Sequence, residues 1–179
     1  NLQNTRKKIG MVFQDADTQI VGDTVFDEVS FGPENLKMPR AAIKKKVTKV
    51  LEDFGLDRFQ DRNPSTLSGG EKRKLAIAGA LVMDPDIIIF DEPFSNLDYP
   101  GTLSVLDTII ALNRSGHTII VATHDIETVI AQATRLIIME QGRIKADDKP
   151  ETLVKRLEQF GIREPCSTRF GLGIQSWQN

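Results

Sequence analysis

Four consecutive large apolar residues, Ile87–Phe90, run directly into the acids Asp91 and Glu92. A short run without polar alternation is the pattern of a strand buried on both faces, and such strands belong to parallel sheets covered by helices. Ile9–Phe13, Thr118–Ala122 and Leu136–Met139 repeat the pattern, with helical stretches between them. The chain is therefore predicted to be α/β, a parallel sheet with helices on its faces.

The helices are read from periodicity and caps. After Pro39, the residues Ile43, Val47, Val50, Leu51 and Phe54 recur at helical spacing, and Gly55 stands where a C-terminal cap belongs. Ser68 and Glu71 form an S-x-x-E capping box ahead of a helix predicted from Glu71 to Asp84, stopping before Pro85. Further helices are predicted over 102–113 and 126–133, whereas Thr24–Phe31 is mixed and "GPENLKMP", 32–39, reads as a loop. Between 22 and 84 the pattern is mostly helical, which predicts a helical subdomain inserted into an α/β core made of 1–21 and 85–155. Residues 156–179 show little periodicity and stay unassigned.

Composition narrows the function. The 179 residues carry a formal net charge of -2, with 40% hydrophobic and 27% charged residues, so there is no electrostatic case for nucleic acid. Cys166 is the sole cysteine, which rules out an internal disulfide and makes a reducing cytosol the natural setting. No apolar run is long enough to span a bilayer, and no signal-peptide pattern opens the chain. The run Lys44–Lys46 lies on a predicted helix and reads as a solvated face.

Four features carry chemistry. Asp91 and Glu92 stand where a buried parallel strand surfaces, at the crevice where open α/β sheets bind ligands. An aspartate there can hold Mg²⁺ through water while the next glutamate polarises an attacking water. A surface turn closed by Pro93 accounts for the pair equally well when it is taken alone. In "LSGGEKRK", the capping box is followed by Gly69 and Gly70, which let a ligand approach the free N–H groups of a helix N-terminus. Taken alone, the segment is better read as a plain helix cap, but a plain cap has no use for two consecutive glycines. His124 ends the stretch "TIIVATH" at the crevice edge, where it could donate to a terminal phosphate or to the attacking water, although a lone histidine there is more often an edge-of-core residue bonded to backbone. Gln14 directly follows the first strand, within reach of a metal or water, while His117 precedes a strand in a turn and reads as structural.

Taken together and in order, these segments resemble the ATP-binding-cassette (ABC) ATPases. "VFQ" resembles their Q-loop, "LSGGE" the signature motif, "IIIFDEP" Walker B, "SNLD" the D-loop and "ATHD" the His switch, over roughly residues 5 to 155. The resemblance implies a P-loop NTPase core with an inserted helical subdomain, and ATP and Mg²⁺ as cofactors. It implies that Asp91 holds Mg²⁺ through water, that Gln14 senses the metal, and that Glu92 is the general base. His124 is then the γ-phosphate contact, while Ser68, Gly69, Gly70 and Glu71 form the motif that caps the γ-phosphate of ATP held by an opposite subunit. Asp98 belongs to that shared interface. "DADTQIVGDTVFDEVSFGPENLKMP" is similar to the segment after the Q-loop in energy-coupling-factor (ECF) importers of vitamins, cobalt or nickel. That likeness implies a second ATPase subunit, a transmembrane coupling subunit and a substrate-binding membrane subunit as partners. It implies no nucleic acid, and a cytoplasmic location on the inner face of the membrane.

The phosphate cradle G-x-x-x-x-G-K-[ST] has no counterpart here, since no glycine in the chain is followed by lysine. The family places that loop well before the Q-loop, and thirteen residues precede Gln14. The sequence is therefore read as an N-terminally truncated ABC ATPase, inactive alone. Two other readings stay open: a non-catalytic partner that lends its signature motif, and a non-transport ABC ATPase of the DNA-repair type. The second usually carries a long coiled coil, and no heptad array fits between 22 and 67.

Overall fold

The computed structural model describes residues 8–176, in two compact units that meet in sequence between Ala122 and Thr123. In the first unit, β1 (Ile9–Val12), β2 (Ile87–Asp91) and β3 (Thr118–Ala122) form a parallel sheet in that order. The register pairs Val12 with Phe90 and Asp91 with Ala122, so the strands end together at one edge. Val12, Ile88 and Phe90 are buried against α5 (Tyr99–Arg114), through Val105, Ile109 and Leu112, and against α4 (Gly69–Leu81), through Ala76 and Ile77.

The strands were expected to be buried on both faces. Among the described residues one face is covered, and the other presents Ile9, Met11 and Ile120 at 36%, 40% and 48% exposure. The unbroken apolar run therefore records a composition suited to two covered faces, of which the described helices supply one.

After the short α1 (Ala16–Gln19), the helices of 25–81 build a second core. Val25 and Val29 of α2 (Val25–Asn35), Ile43, Val47 and Leu51 of α3 (Arg40–Asp53), and Leu75, Ala78 and Val82 at α4 pack with Leu56, Phe59 and Leu67. Fully burying each of the larger side chains contributes about 1.5–3 kcal/mol. Because α4 faces both cores, it lacks a single apolar stripe and is buried at Leu75, Ala76, Ile77 and Ala78 alike.

Two local expectations change here. The segment read as mixed followed by loop is the continuous helix α2, capped by the Thr24 hydroxyl and running through Pro33 to Asn35. Proline in the last turn forfeits one helical bond, and burial of Val29, Ser30 and Pro33 offsets that loss. The helix at the capping box begins at Gly69 and stops at Leu81, since Asp84 takes a left-handed φ of 54° before Pro85.

The second unit holds an antiparallel hairpin, β4 (Leu136–Glu140) with β5 (Arg143–Asp148), around Gly142 at φ 72°. The strand 136–139, expected in the parallel sheet, pairs instead with the strand that follows it after a two-residue turn. The helix expected at 126–133 is a turn followed by the 3₁₀ segment Ile130–Gln132. Asp125 accepts from the Glu127 N–H at 3.2 Å and the Thr128 hydroxyl at 3.1 Å, and these local bonds compete with helical ones. The tail folds into a 3₁₀ helix, Val154–Phe160, closed by Gly161 at φ 70°, then the short helix Cys166–Arg169. Ile126, Ile130, Ile138, Leu153, Val154 and Leu157 form its core. Among the described residues no helix is long and apolar enough to cross a membrane.

Candidate functional site

The C-terminal edge of the sheet gathers the first group of residues. Pairing of β1 with β2 ends at Val12 and Phe90, so the Phe13–Gln14 segment leaves the sheet at the same edge where β2 closes on Asp91. The Glu92 N–H donates to the Ala122 carbonyl at 2.8 Å, which ties the turn after β2 to the end of β3. Glu92 has a left-handed φ of 45°, unusual for a side chain of its size, and Asn96 in the following loop has 60°. Strain of this kind costs about 1–3 kcal/mol and gathers where a side chain must be aimed.

The second group is the N-terminus of α4. Ser68 is its N-cap, and both halves of the predicted capping box form: the Ser68 Oγ accepts from the Glu71 N–H at 3.4 Å, and the Glu71 carboxylate accepts from the Ser68 N–H at 2.8 Å. The Ser68 N–H, then its hydroxyl, pull the Glu71 carboxyl below its ordinary value. Ser68, Gly69 and Gly70 are exposed, and among the described residues nothing lies within 4 Å of a Cβ added at either glycine. Neither has a positive φ, so neither intrachain packing nor backbone conformation asks for glycine at these positions.

A cavity of about 460 Å³ lies between the segment after β1, the start of α4 and the loop after β2, lined by Gln14, Asp15, Gly69, Lys72, Arg73 and Ser95 among others, but not by Asp91, Glu92 or Ser68. Arg73, which the sequence reading passed over, is 5% exposed. Its Nη1 donates to the carbonyls of Phe13 and Gln14 at 3.0 and 2.8 Å, and its Nη2 to that of Ser95 at 3.4 Å. Burial lowers the pKa of the guanidinium, and the nearby Asp15 raises it, but the group stays charged. In sequence it is one of three consecutive cations, Lys72–Lys74, and nothing in that pattern sets it apart. A larger cavity of about 1040 Å³ lies between α3, α4 and α5, and none of the predicted site residues lines it.

Asp98 caps α5, its Oδ1 accepting from the Gly101 N–H at 2.9 Å. His124 is exposed and lies in the second unit, two residues beyond β3. His117 sits with Nδ1 2.7 Å from the Pro85 carbonyl oxygen, a structural contact as expected. Gln14, Asp91, Glu92, Ser68, Gly69, Gly70, Glu71 and Asp98 thus share the first unit and flank the ends of β1, β2 and α4.

A parallel α/β sheet with acids at its strand ends, beside a glycine-opened helix N-terminus, defines a nucleotide-binding class of fold. The family model described as ABC transporter matches residues 1–95, and the chain belongs to that family. It is 48% identical over 151 residues to the energy-coupling factor transporter ATP-binding protein EcfA2 of Methanospirillum hungatei, covering 84% of this chain and 38% of that protein. It is 43% identical over 166 residues to the cobalt import ATP-binding protein CbiO of Syntrophus aciditrophicus, covering 91% of this chain and 59% of that protein. The solved structure of cbiO1 from Clostridium perfringens, described as part of the ABC transporter complex cbiONQ, matches with a TM-score of 0.76 and 33% identity. That match covers 95% of this chain and 68% of the other. The chain thus spans about two fifths to three fifths of the lengths of these two curated relatives.

Proposed function

We propose that this chain forms the metal- and water-handling part of an ATP-hydrolysing subunit of an ECF-type importer. The register of β1 on β2 supports the reading: the two strands end at one edge, with Gln14 following the first and Asp91–Glu92 closing the second. Mg²⁺ is commonly held by one or two protein oxygens, waters and substrate phosphates, and an Asp–Gln pair suits that arrangement. Asp91 would hold the metal through water, Gln14 would be a neutral ligand, and Glu92 would accept the proton of the attacking water. His124 contacts the terminal phosphate. Mg²⁺ held there would supply charge neutralisation for the transferring phosphoryl group.

Among the described residues no group of three or more acids, histidines or cysteines gathers to hold a metal, so a bound ion would rest on Asp91, Gln14, waters and the phosphates themselves. At Ser68, Gly69 and Gly70 the backbone N–H groups are open, which favours ATP held by a second ATPase subunit as their ligand. Residues 22–84 serve as a helical subdomain, meeting transmembrane partners on the inner face of the membrane through the segment after Gln14. The relative named as a cobalt import protein favours a transition-metal ion as the transported substrate, and the resemblance to energy-coupling-factor importers also allows a vitamin or nickel.

The test uses a protein in which this chain is joined to a G-x-x-x-x-G-K-[ST] loop and assembled with its membrane subunits. Glu92→Gln is expected to abolish ATP turnover and preserve ATP binding. Turnover at the unmutated rate would show that Glu92 is not the base.

A further inference from the structure

We propose that Arg73 is a positioning residue that locks the Gln14 turn to the Ser95–Asp98 loop, so that both move with the helix carrying Ser68–Gly70. This rests on the ATPase reading above. The two loops leave different strands, β1 and β2, and Arg73 is hydrogen-bonded to both. Its partners are main-chain oxygens, so it fixes backbone position whatever side chains the loops carry. The neighbouring Lys72 pairs with Asp17 at 2.5 Å, giving α4 a second hold on the segment after β1.

Energetics argue for a role beyond packing. A buried guanidinium is costly to desolvate, and an aliphatic side chain of similar volume is often as stable or more so. What the aliphatic residue cannot do is bond two loops at once. The guanidinium fork spans the separation between Gln14 and Ser95, whereas an ammonium is a single point. Arg73 also lies one turn beyond Gly69 and Gly70, so a ligand that shifts the start of α4 shifts the carbonyls that Arg73 holds.

The experiment measures ATP turnover in the assembled protein for Arg73→Lys, Arg73→Met, Gln14→Ala and the Arg73→Lys/Gln14→Ala pair, with thermal melting of each. With Arg73→Lys folded, kcat is expected to fall at least about tenfold, as misplacement of reacting groups does. KM for ATP should stay within about threefold, because a positioning effect falls on kcat. The double variant should be no slower than Gln14→Ala, since residues acting through one another are non-additive. Turnover near the unmutated rate in folded Arg73→Lys or Arg73→Met, or simple multiplication of the two effects in the pair, overturns the proposal. Loss of folded protein in both Arg73 variants overturns it too, by showing support of the fold instead. Glu92→Gln run in parallel separates the two levels. If it stays active, the ATPase reading fails; if it is inactive while Arg73→Lys turns over normally, only the role of Arg73 fails.

Discussion

The Glu71 carboxylate accepts both the main-chain N–H and the hydroxyl of Ser68, at 2.8 and 2.7 Å, so the serine at the opening of the site is held before any ligand arrives. Its depressed pKa makes the contact pH-dependent. The unfolded chain binds a proton near the ordinary value of 4.5 and the folded chain binds it only at lower pH. Glu71 therefore adds stability above that value, and the contribution disappears as pH falls through the folded value. Urea unfolding should show the native protein losing its advantage over Glu71→Gln as pH drops from about 6 to about 3. An advantage that stays constant over that range would contradict this. Ser68→Ala should cost about 0.5–2 kcal/mol through loss of the cap.

Asp98 caps α5 and is also the proposed interface residue, and two substitutions separate these roles. Asp98→Ala should destabilise the unit by about 1 kcal/mol, and Asp98→Asn, which caps as well, by less than about 0.5 kcal/mol. Chemical denaturation gives the stabilities and ATP-dependent dimerisation gives the interface. A dimerisation defect in Asp98→Asn without a stability defect is the expected pattern.

Glu92 keeps a left-handed backbone, so glycine should be favoured over alanine at this position by about 1 kcal/mol. Comparing Glu92→Gly with Glu92→Ala in thermal melts isolates the backbone, since both lack the carboxylate. Both should be inactive in turnover. A higher Tm for Glu92→Ala would show that φ at this position imposes no strain.

Buried Glu28 organises the segment before α2, accepting from the N–H groups of Val21 and Gly22 at 2.7 and 2.8 Å. A Cβ at Gly22 would lie 2.3 Å from the Glu28 nitrogen, so Gly22→Ala must displace backbone. Gly22→Ala and Glu28→Ala should each cost about 1–3 kcal/mol, the first by overpacking and the second by stranding two donors. Equilibrium unfolding checks both, and a Gly22→Ala protein as stable as the native chain would refute the clash.

The legible features are those with a local cause. Continuous apolar runs mark β1, β2 and β3 because burial selects side chains one by one, and the S-x-x-E spacing marks the start of α4 because its bonds close within four residues. Motif order placed Gln14, Asp91, Glu92 and Asp98 at element ends without any knowledge of how those ends meet. The hairpin at 136–148 and the turn at 126–129 escaped because an apolar run does not state its pairing partner, and Asp125 redirects backbone bonds that periodicity assigns to a helix.

The sequence by itself determined the α/β class and the three strands β1, β2 and β3 of the parallel sheet, since each follows from side-chain pattern and local hydrogen bonding. Only the tertiary structure decided that, of the consecutive cations Lys72, Arg73 and Lys74, the middle one is buried while Lys72 pairs with Asp17. It also decided which sheet face is covered and that Glu28 turns inward to hold Val21 and Gly22. These outcomes depend on groups distant in sequence: the carbonyl of Gln14 and the guanidinium of Arg73 are 59 residues apart. No window short enough to reveal periodicity contains both.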